Sequence, residues 1–213
     1  MKKLLLGSAS PARRQTLINA GITPIVRIAD LDEDAIINDF ATNHAELSLR
    51  QKAQAEVQLL ATSKAQAIYA LVKNDEPAPT VVVGCDSMLE MNGRIAGKPH
   101  TPDIARQRLR EMSGKAGYLH TGHCVIDTAS GRIVEGVSTA TVHIAHLTDH
   151  DIEAYIATGE PLNVAGSFTI DGFGGPFVER IEGDYHGIVG LSLPLLRTLL
   201  AELGHSITEF WSH

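Results

Sequence analysis

The sequence predicts a mixed α/β domain, and three observations carry that reading. Short apolar runs read as buried strands, amphipathic stretches with cap signals lie between them, and one long antiparallel hairpin interrupts the alternation. With 213 residues and 44% apolar content the chain can bury a sizeable core. It reads as one domain over 1–213, with residues 116–145 as a candidate smaller lobe.

The elements follow in order. "KLLLGS" is a short buried strand, too short in its apolar run for a signal peptide. Ser10 is a helix N-cap and Pro11 a first helical position, and Gly21 closes that helix, 11–20. "ITPIVRIA" is a second strand, followed by the acidic segment "DLDEDAII". From 46 to 72 runs a long helix with Leu49, Ala53, Val57, Leu60, Ala67 and Leu71 at helical spacing. "NDEPAPT" breaks it. "TVVVGCDSMLEM" is a strongly apolar strand, Asn92-Gly93 is a tight hairpin turn, and 102–112 is a helix. "YLHTGHCVIDT" and "IVEGVSTATVHIAHL", joined by "ASGR", form the long hairpin. Thr148 caps a helix reaching 158, with Asp151 at the capping-box position. The Gly-rich stretch 166–190 carries short strands, and a last helix begins near Leu193. The sequence contains no repeat, low-complexity segment or clear linker.

Composition narrows the function. A formal net charge of −7 argues against a protein that coats nucleic-acid backbone, though not against a small polyanion met by local positive charge. No apolar run approaches a membrane span. Two cysteines, Cys85 and Cys124, do not make a disulfide framework and suit a reducing cytoplasm. Whether the chain pairs with a second copy as a homodimer is left open.

The first candidate site is "GSASPARR". A capping box would put Glu or Gln three residues after Ser10, yet Arg13 stands there with Arg14 behind it, in the turn whose dipole favours anions. Two arginines pointing into water would explain this. So would an anion site, with free helix-start N–H groups, hydroxyls from Ser8 and Ser10, and Arg13 as a bidentate phosphate ligand. The loop leaves a buried strand at its C-terminal end, where α/β proteins usually bind ligands.

In "GCDSMLEM" Asp86 interrupts an apolar strand, as a solvent-facing strand end, a metal ligand or a general base that activates water. Cys85 beside it reads as a small buried hydrophobe. "GRIAGKP" falls one residue short of a P-loop and has Pro99 where Ser or Thr would hold magnesium. Lys98 is either a phosphate-neutralising point charge or a surface lysine. In "DLDED", Asp32 or Glu33 either caps a helix or joins Asp86 in holding a divalent ion, Mg or Mn, through hard oxygens. Lys52 sits at the edge of the long helix's apolar stripe, as a snorkelling lysine would. His120 and His123 lack helical zinc spacing and read as structural or rim residues, and "TIDGFGGPF" lacks the dinucleotide fingerprint. Together these residues suit phosphoanhydride hydrolysis, in which cations spread developing charge and a carboxylate handles water.

The ordered set "GSASPARR", "QKA", "GCDSML", "GRIAGKP", "TGHCVI", "TGEPLNVAGSFTIDGFGG" and "VERIEGDYHGIVGLSLPLL" resembles the Maf family over nearly the whole chain, in an actinobacterial-type branch. The resemblance implies an α/β fold, of the Maf and ITPase-like kind, with a strongly bent central sheet around a cleft between two lobes. It implies metal-dependent cytoplasmic hydrolysis of nucleoside triphosphates to monophosphate and pyrophosphate, with a house-cleaning role against non-standard or modified nucleotides. By position, Asp86 matches the family's base. Ser8, Ser10 and Arg13 match its phosphate motif, Lys52 and Lys98 its two lysines, and Glu33 its acidic position. Ala12, Ser87 and Asp171 depart from the family pattern at positions associated with base choice, and Val164 replaces a common Lys. An amide-to-carboxylate exchange at Asp171 removes a donor and favours a base presenting N–H groups. The alternative from another class is a non-catalytic nucleotide-binding regulator of cell division and septum formation, which would not need Asp86.

Overall fold

The computed structural model describes residues 2–75 and 77–212, so Glu76 in the "NDEPAPT" break lies outside the description. Its frame is a mixed seven-stranded sheet flanked by helices. The strands are β1 (Leu4–Leu6), β2 (Ile25–Val26), β3 (Val81–Met91), β4 (Arg94–Ala96), β5 (Ala116–Asp127), β6 (Ile133–Ile144) and β7 (Val178–Glu182). Their order is β2-β1-β3-β5-β6-β7, with β4 paired to the far end of β3. β1 runs parallel to both β2 and β3, and the remaining pairs are antiparallel.

The helices are α1 (Pro11–Asn19), α2 (Glu33–Asn43), α3 (Leu49–Val72), α4 (Pro102–Met112), α5 (Asp149–Ala157), α6 (Tyr185–Val189) and α7 (Leu193–Glu202). Strand alternation sorts the core of β3. Val81, Val83 and Cys85 pack with Leu17 of α1 and Leu196, Leu199 and Leu200 of α7. Val82 faces the other way, onto Ala61, Ala65, Ile68 and Val72 of α3. Further along β3, Leu89 and Met91 join Met112, Val142, Ile144 and Ile188 in a separate apolar cluster.

Two glycines set how closely α3 lies on the sheet. A Cβ on Gly84 would overlap the carbonyl oxygen of Ala61, and one on Gly122 the carbonyl oxygen of Val57. With both side chains absent, and with alanines at 61 and 65, the helix backbone descends onto β3 and β5.

Several expectations are sharpened. The second strand keeps only Ile25 and Val26, paired with Leu5 and Leu6. The acidic segment is the helix α2, and Asp32 is its N-cap, accepting the Ala35 N–H at 2.9 Å. Residues 116–145 contain β5 and β6, and β5 continues the sheet in unbroken register with β3 from Val81↔Asp127 to Glu90↔Tyr118. The Gly-rich stretch 166–190 holds one strand, β7, together with α6 and short 3₁₀ turns. No described helix is long and apolar enough to cross a membrane.

Candidate active site

The start of α1 answers why arginine stands at a capping-box position. Ser10 caps the helix, its Oγ accepting the Arg13 N–H at 3.4 Å. The Arg13 side chain then turns inward. Its Nε donates to the Gly190 carbonyl at 2.7 Å, its Nη1 to the Cys85 carbonyl at 2.8 Å and to Ser8 Oγ at 3.1 Å, and its Nη2 to Ser87 Oγ at 3.0 Å. A guanidinium has five N–H donors, and the protein takes four. This corrects the expectation of a bidentate phosphate ligand, because only one N–H on Nη2 remains for a substrate. Arg13 is a clip joining α1, β3 and the turn after α6, and it brings a fixed positive charge to the cleft. Arg14 is exposed.

The hydroxyls beside it stay available. Ser8 Oγ accepts from Arg13 and from the Ser10 N–H at 3.2 Å, and among the described residues neither Ser8 nor Ser10 spends its own proton. Both therefore keep a donor on the cleft wall, next to the uncompensated N-terminus of α1.

Asp86 reaches the cleft from β3 on the face covered by α3. Its Oδ1 accepts from Lys64 Nζ at 2.6 Å, and the same ammonium reaches Glu33 Oε2, in the first turn of α2, at 3.0 Å. Capping duty takes Asp32, so the carboxylate that enters the cluster is Glu33. Asp86 Oδ2 has no hydrogen bond among the described residues. Lys64 is the residue the sequence reading missed. Lys52, matched by position to one of the family's two lysines, lies apart from these groups: its Nζ donates to the Ala45 carbonyl at 3.2 Å near the start of α3, and it does not line the cleft. Lys52-Ala53 and Lys64-Ala65 are the same dipeptide, separated by roughly 18 Å of helix at 1.5 Å per residue. The signal that separates them is Gly84 with Ala61 and Ala65, where α3 comes closest to β3.

Ser87 points to the opposite face. Its Oγ accepts from Arg13 and lies 2.8 Å from Thr121 Oγ1, whose own proton goes to the Gly187 carbonyl at 2.8 Å. Ser87 must therefore donate to Thr121, which leaves it no proton for a substrate base. His123 is buried and neutral: Nε2 accepts the Ser192 N–H at 2.8 Å, so Nδ1–H donates to the Thr121 carbonyl at 3.0 Å. Burial pulls its pKa down to about 4. His120 is also buried, between Thr139 Oγ1 at 2.9 Å and Glu90 Oε2 at 3.1 Å.

Ser8, Ser10, Arg13, Glu33, Lys64 and Asp86 line one end of a cleft of about 950 Å³. Its other end is apolar, with Leu89, Met91, Leu119, Val142, Ile144 and Ile188. Lys98 lines it as an exposed side chain with no partner among the described residues. Ala12, Val164 and Asp171 also line it, Asp171 on the loop after Phe168. Glu160, which sequence reasoning did not single out, closes the same side. Among the described residues no cluster of three or more His, Cys, Asp or Glu side chains could hold a metal. Glu33 and Asp86 alone place two hard oxygen donors around one cation.

Fold and cleft together define an α/β protein with a large cleft, charged at one end and apolar at the other. The chain belongs to the Maf family: the profile described as "Maf-like protein" matches residues 3–203. A nucleoside triphosphate pyrophosphatase of Salinispora tropica is 51% identical, over 99% of this chain and 88% of the relative. Proteins of the same name from Nocardia farcinica and Streptomyces coelicolor are 46% and 45% identical, each over 99% of this chain and over 97% and 95% of their own lengths. A solved dITP/XTP pyrophosphatase from Mycobacterium abscessus aligns over 68% of this chain and 75% of its own, at 12% identity and a TM-score of 0.34.

Proposed function

We propose that this chain is a nucleoside triphosphate pyrophosphatase that cleaves its substrate to the nucleoside monophosphate and pyrophosphate. The observation that carries the reading is the cluster Lys64, Asp86 and Glu33 at the charged end of a cleft whose other end is apolar. The full-length likeness to pyrophosphatases supports it. The triphosphate lies along Ser8, Ser10 and the α1 N-terminus, where the two free hydroxyl protons and helix N–H groups meet its oxygens. Arg13 and Lys64 supply fixed positive charge, and Lys98 reaches in from the rim.

A water oxygen bonds to the α-phosphorus, the bond from that phosphorus to the bridging oxygen breaks, and pyrophosphate leaves. Asp86 Oδ2, which has no other partner among the described residues, takes the water's proton, while Lys64 fixes the carboxylate through Oδ1. Glu33 and Asp86 fit a Mg or Mn ion, which commonly takes one or two carboxylates and completes its shell with phosphate and water. Such an ion would neutralise charge developing on the phosphates. The apolar end receives the base, and Ala12, Ser87 and Asp171 border it. Ser87 does so with a lone pair only, which leaves Asp171 as the polar group free to choose among bases, non-standard ones included. Burial pushes the Cys85 and Cys124 thiols up to about 11 and about 12, keeping them protonated and unreactive, in keeping with a cytoplasmic enzyme.

The test is pyrophosphate release across a panel of standard, methylated and deaminated triphosphates with Mg or Mn. Wild type turns over at least one of them, and Asp86→Asn lowers kcat by about a thousandfold. Tight binding without turnover across the panel would instead identify a nucleotide-binding regulator.

A further inference from the structure

We propose that Glu160 and Tyr155 form a clamp that positions the substrate-selecting loop, residues 168–175, and so set nucleotide affinity without touching the reacting atoms. The inference rests on the pyrophosphatase reading and deepens it. Glu160 stands beyond the end of α5 in the first 3₁₀ turn, and its carboxylate reaches across to the loop. Oε1 accepts the Tyr155 O–H at 2.8 Å and the Gly174 N–H at 3.2 Å, and Oε2 accepts the Phe173 N–H at 3.0 Å. The Tyr155 hydroxyl in turn accepts the Thr169 N–H at 3.1 Å. One carboxylate and one phenol thus hold the loop at both ends, on either side of Asp171.

The surroundings are built around these bonds. Tyr155 is buried on α5, and its ring meets the Phe168 and Phe177 rings at centroid distances of 6.4 and 5.8 Å. Phe168, Thr169, Ile170 and Asp171 all line the cleft, so the clamp sets the wall that meets the base. A Cβ on Gly172 would overlap Glu160 Oε2, and one on Gly174 would stand 2.8 Å from the Tyr155 hydroxyl oxygen. Gly172 and Gly174 therefore allow the loop its close approach to the clamp. Burial, followed by the Glu160 carboxylate, pushes the Tyr155 phenol up, so it remains a donor to Glu160. A carboxylate can accept all three bonds, whereas an amide has one acceptor oxygen and presents a donor at the other position.

The experiment compares wild type, Glu160→Gln and Tyr155→Phe with nucleoside triphosphates as substrates and inorganic tripolyphosphate as inhibitor. Tyr155→Phe keeps the ring packing and removes only the hydroxyl. Both variants should raise nucleotide KM about tenfold with kcat within about twofold, because the base wall moves and the phosphate end does not. The tripolyphosphate inhibition constant should stay within about twofold, and the double variant should be no worse than the weaker single one, because both break one unit. A purely structural role predicts parallel losses in KM, kcat and tripolyphosphate affinity. That result, or unchanged KM in both variants, overturns the clamp. If Glu160→Gln fails to fold, Tyr155→Phe alone must show the same split. If wild type releases no pyrophosphate from any triphosphate, the pyrophosphatase reading falls, and the clamp is decided by the same split in calorimetric Kd for nucleotide against tripolyphosphate.

Discussion

The two walls of the cleft are held in different ways. The wall of α1, β3 and α3 is fixed by regular structure, with Arg13 bonded to four acceptors and Lys64 to two carboxylates. The facing wall, 160–175, consists of short 3₁₀ turns and glycines held by Glu160 and Tyr155. It keeps Ser167 at a φ of 60° while buried, and the Ser167 and Thr169 hydroxyls have no partner among the described residues. Two of the three unpaired buried polar atoms among the described residues thus lie on this wall, the third being Gln58 Oε1 on α3. On the proposed binding mode the contrast is a division of labour: groups assigned to the triphosphate sit where a shift would cost core packing, and groups assigned to the base sit where a shift costs a few hydrogen bonds. Perturbing the first wall should lower kcat or stability, and perturbing the second should change KM and base preference.

The largest effect after Asp86→Asn belongs to Lys64. Lys64→Met should lower kcat/KM by at least about a hundredfold, because a cation aimed at the reacting centre is lost and Asp86 is left beside Glu33 without a counter-charge. Lys52→Met, altering an identical dipeptide on the same helix, should stay within about twofold. Equal losses in the two variants would remove the first wall's claim to the chemistry.

Next comes acid sensitivity of the scaffold. His123 ties β5 to the Ser192 cap of α7 as a neutral ring, with its pKa lowered from 6.5 to about 4 by burial. The unfolded chain binds this proton first, so the contribution is fully present above about pH 6.5 and is lost as pH falls toward 4. From this residue alone, stability should drop by about 3 kcal/mol across that window. Denaturant unfolding at several pH values, with the His123 ring followed by NMR, checks it. A native-state His123 titrating near 6.5 would contradict the buried geometry.

Much of this was legible in the sequence. The cap signals at Ser10 and Thr148, the apolar strand through Asp86, the Asn92-Gly93 turn and the long hairpin all lie where local rules put them, because local backbone chemistry decides them. That Ser8, Ser10 and Arg13 gather at the start of α1 was legible too, but not what Arg13 does. Its position promised a free fork, whereas its partners, Cys85 and Gly190, lie far along the chain. Lys64 could not be told from Lys52 by periodicity, since only the distance between α3 and β3 separates them. Glu160 was invisible because two of its three partners, the third being the Tyr155 hydroxyl, are backbone N–H groups, which no side-chain pattern announces.

The smallest expected effect falls on the second wall, at Asp171. Its carboxylate is exposed, lines the cleft, and has no hydrogen-bond partner among the described residues. A carboxylate only accepts, so it favours a base edge with two adjacent N–H donors, as guanine has in N1–H and N2–H₂, over the single N3–H of uracil. An amide offers both a donor and an acceptor and should be more tolerant. Asp171→Gln should therefore lower the preference for donor-bearing bases by about tenfold, through KM, because one charge-assisted hydrogen bond is exchanged for a neutral one. kcat and thermal stability should not move, since Asp171 neither reaches the Lys64 cluster nor holds the loop. Steady-state kinetics on GTP and UTP, wild type against Asp171→Gln, measure the ratio directly. Equal turnover of both nucleotides by both proteins would show that base choice lies elsewhere in the cleft, and a fall in kcat would show that the two walls are coupled.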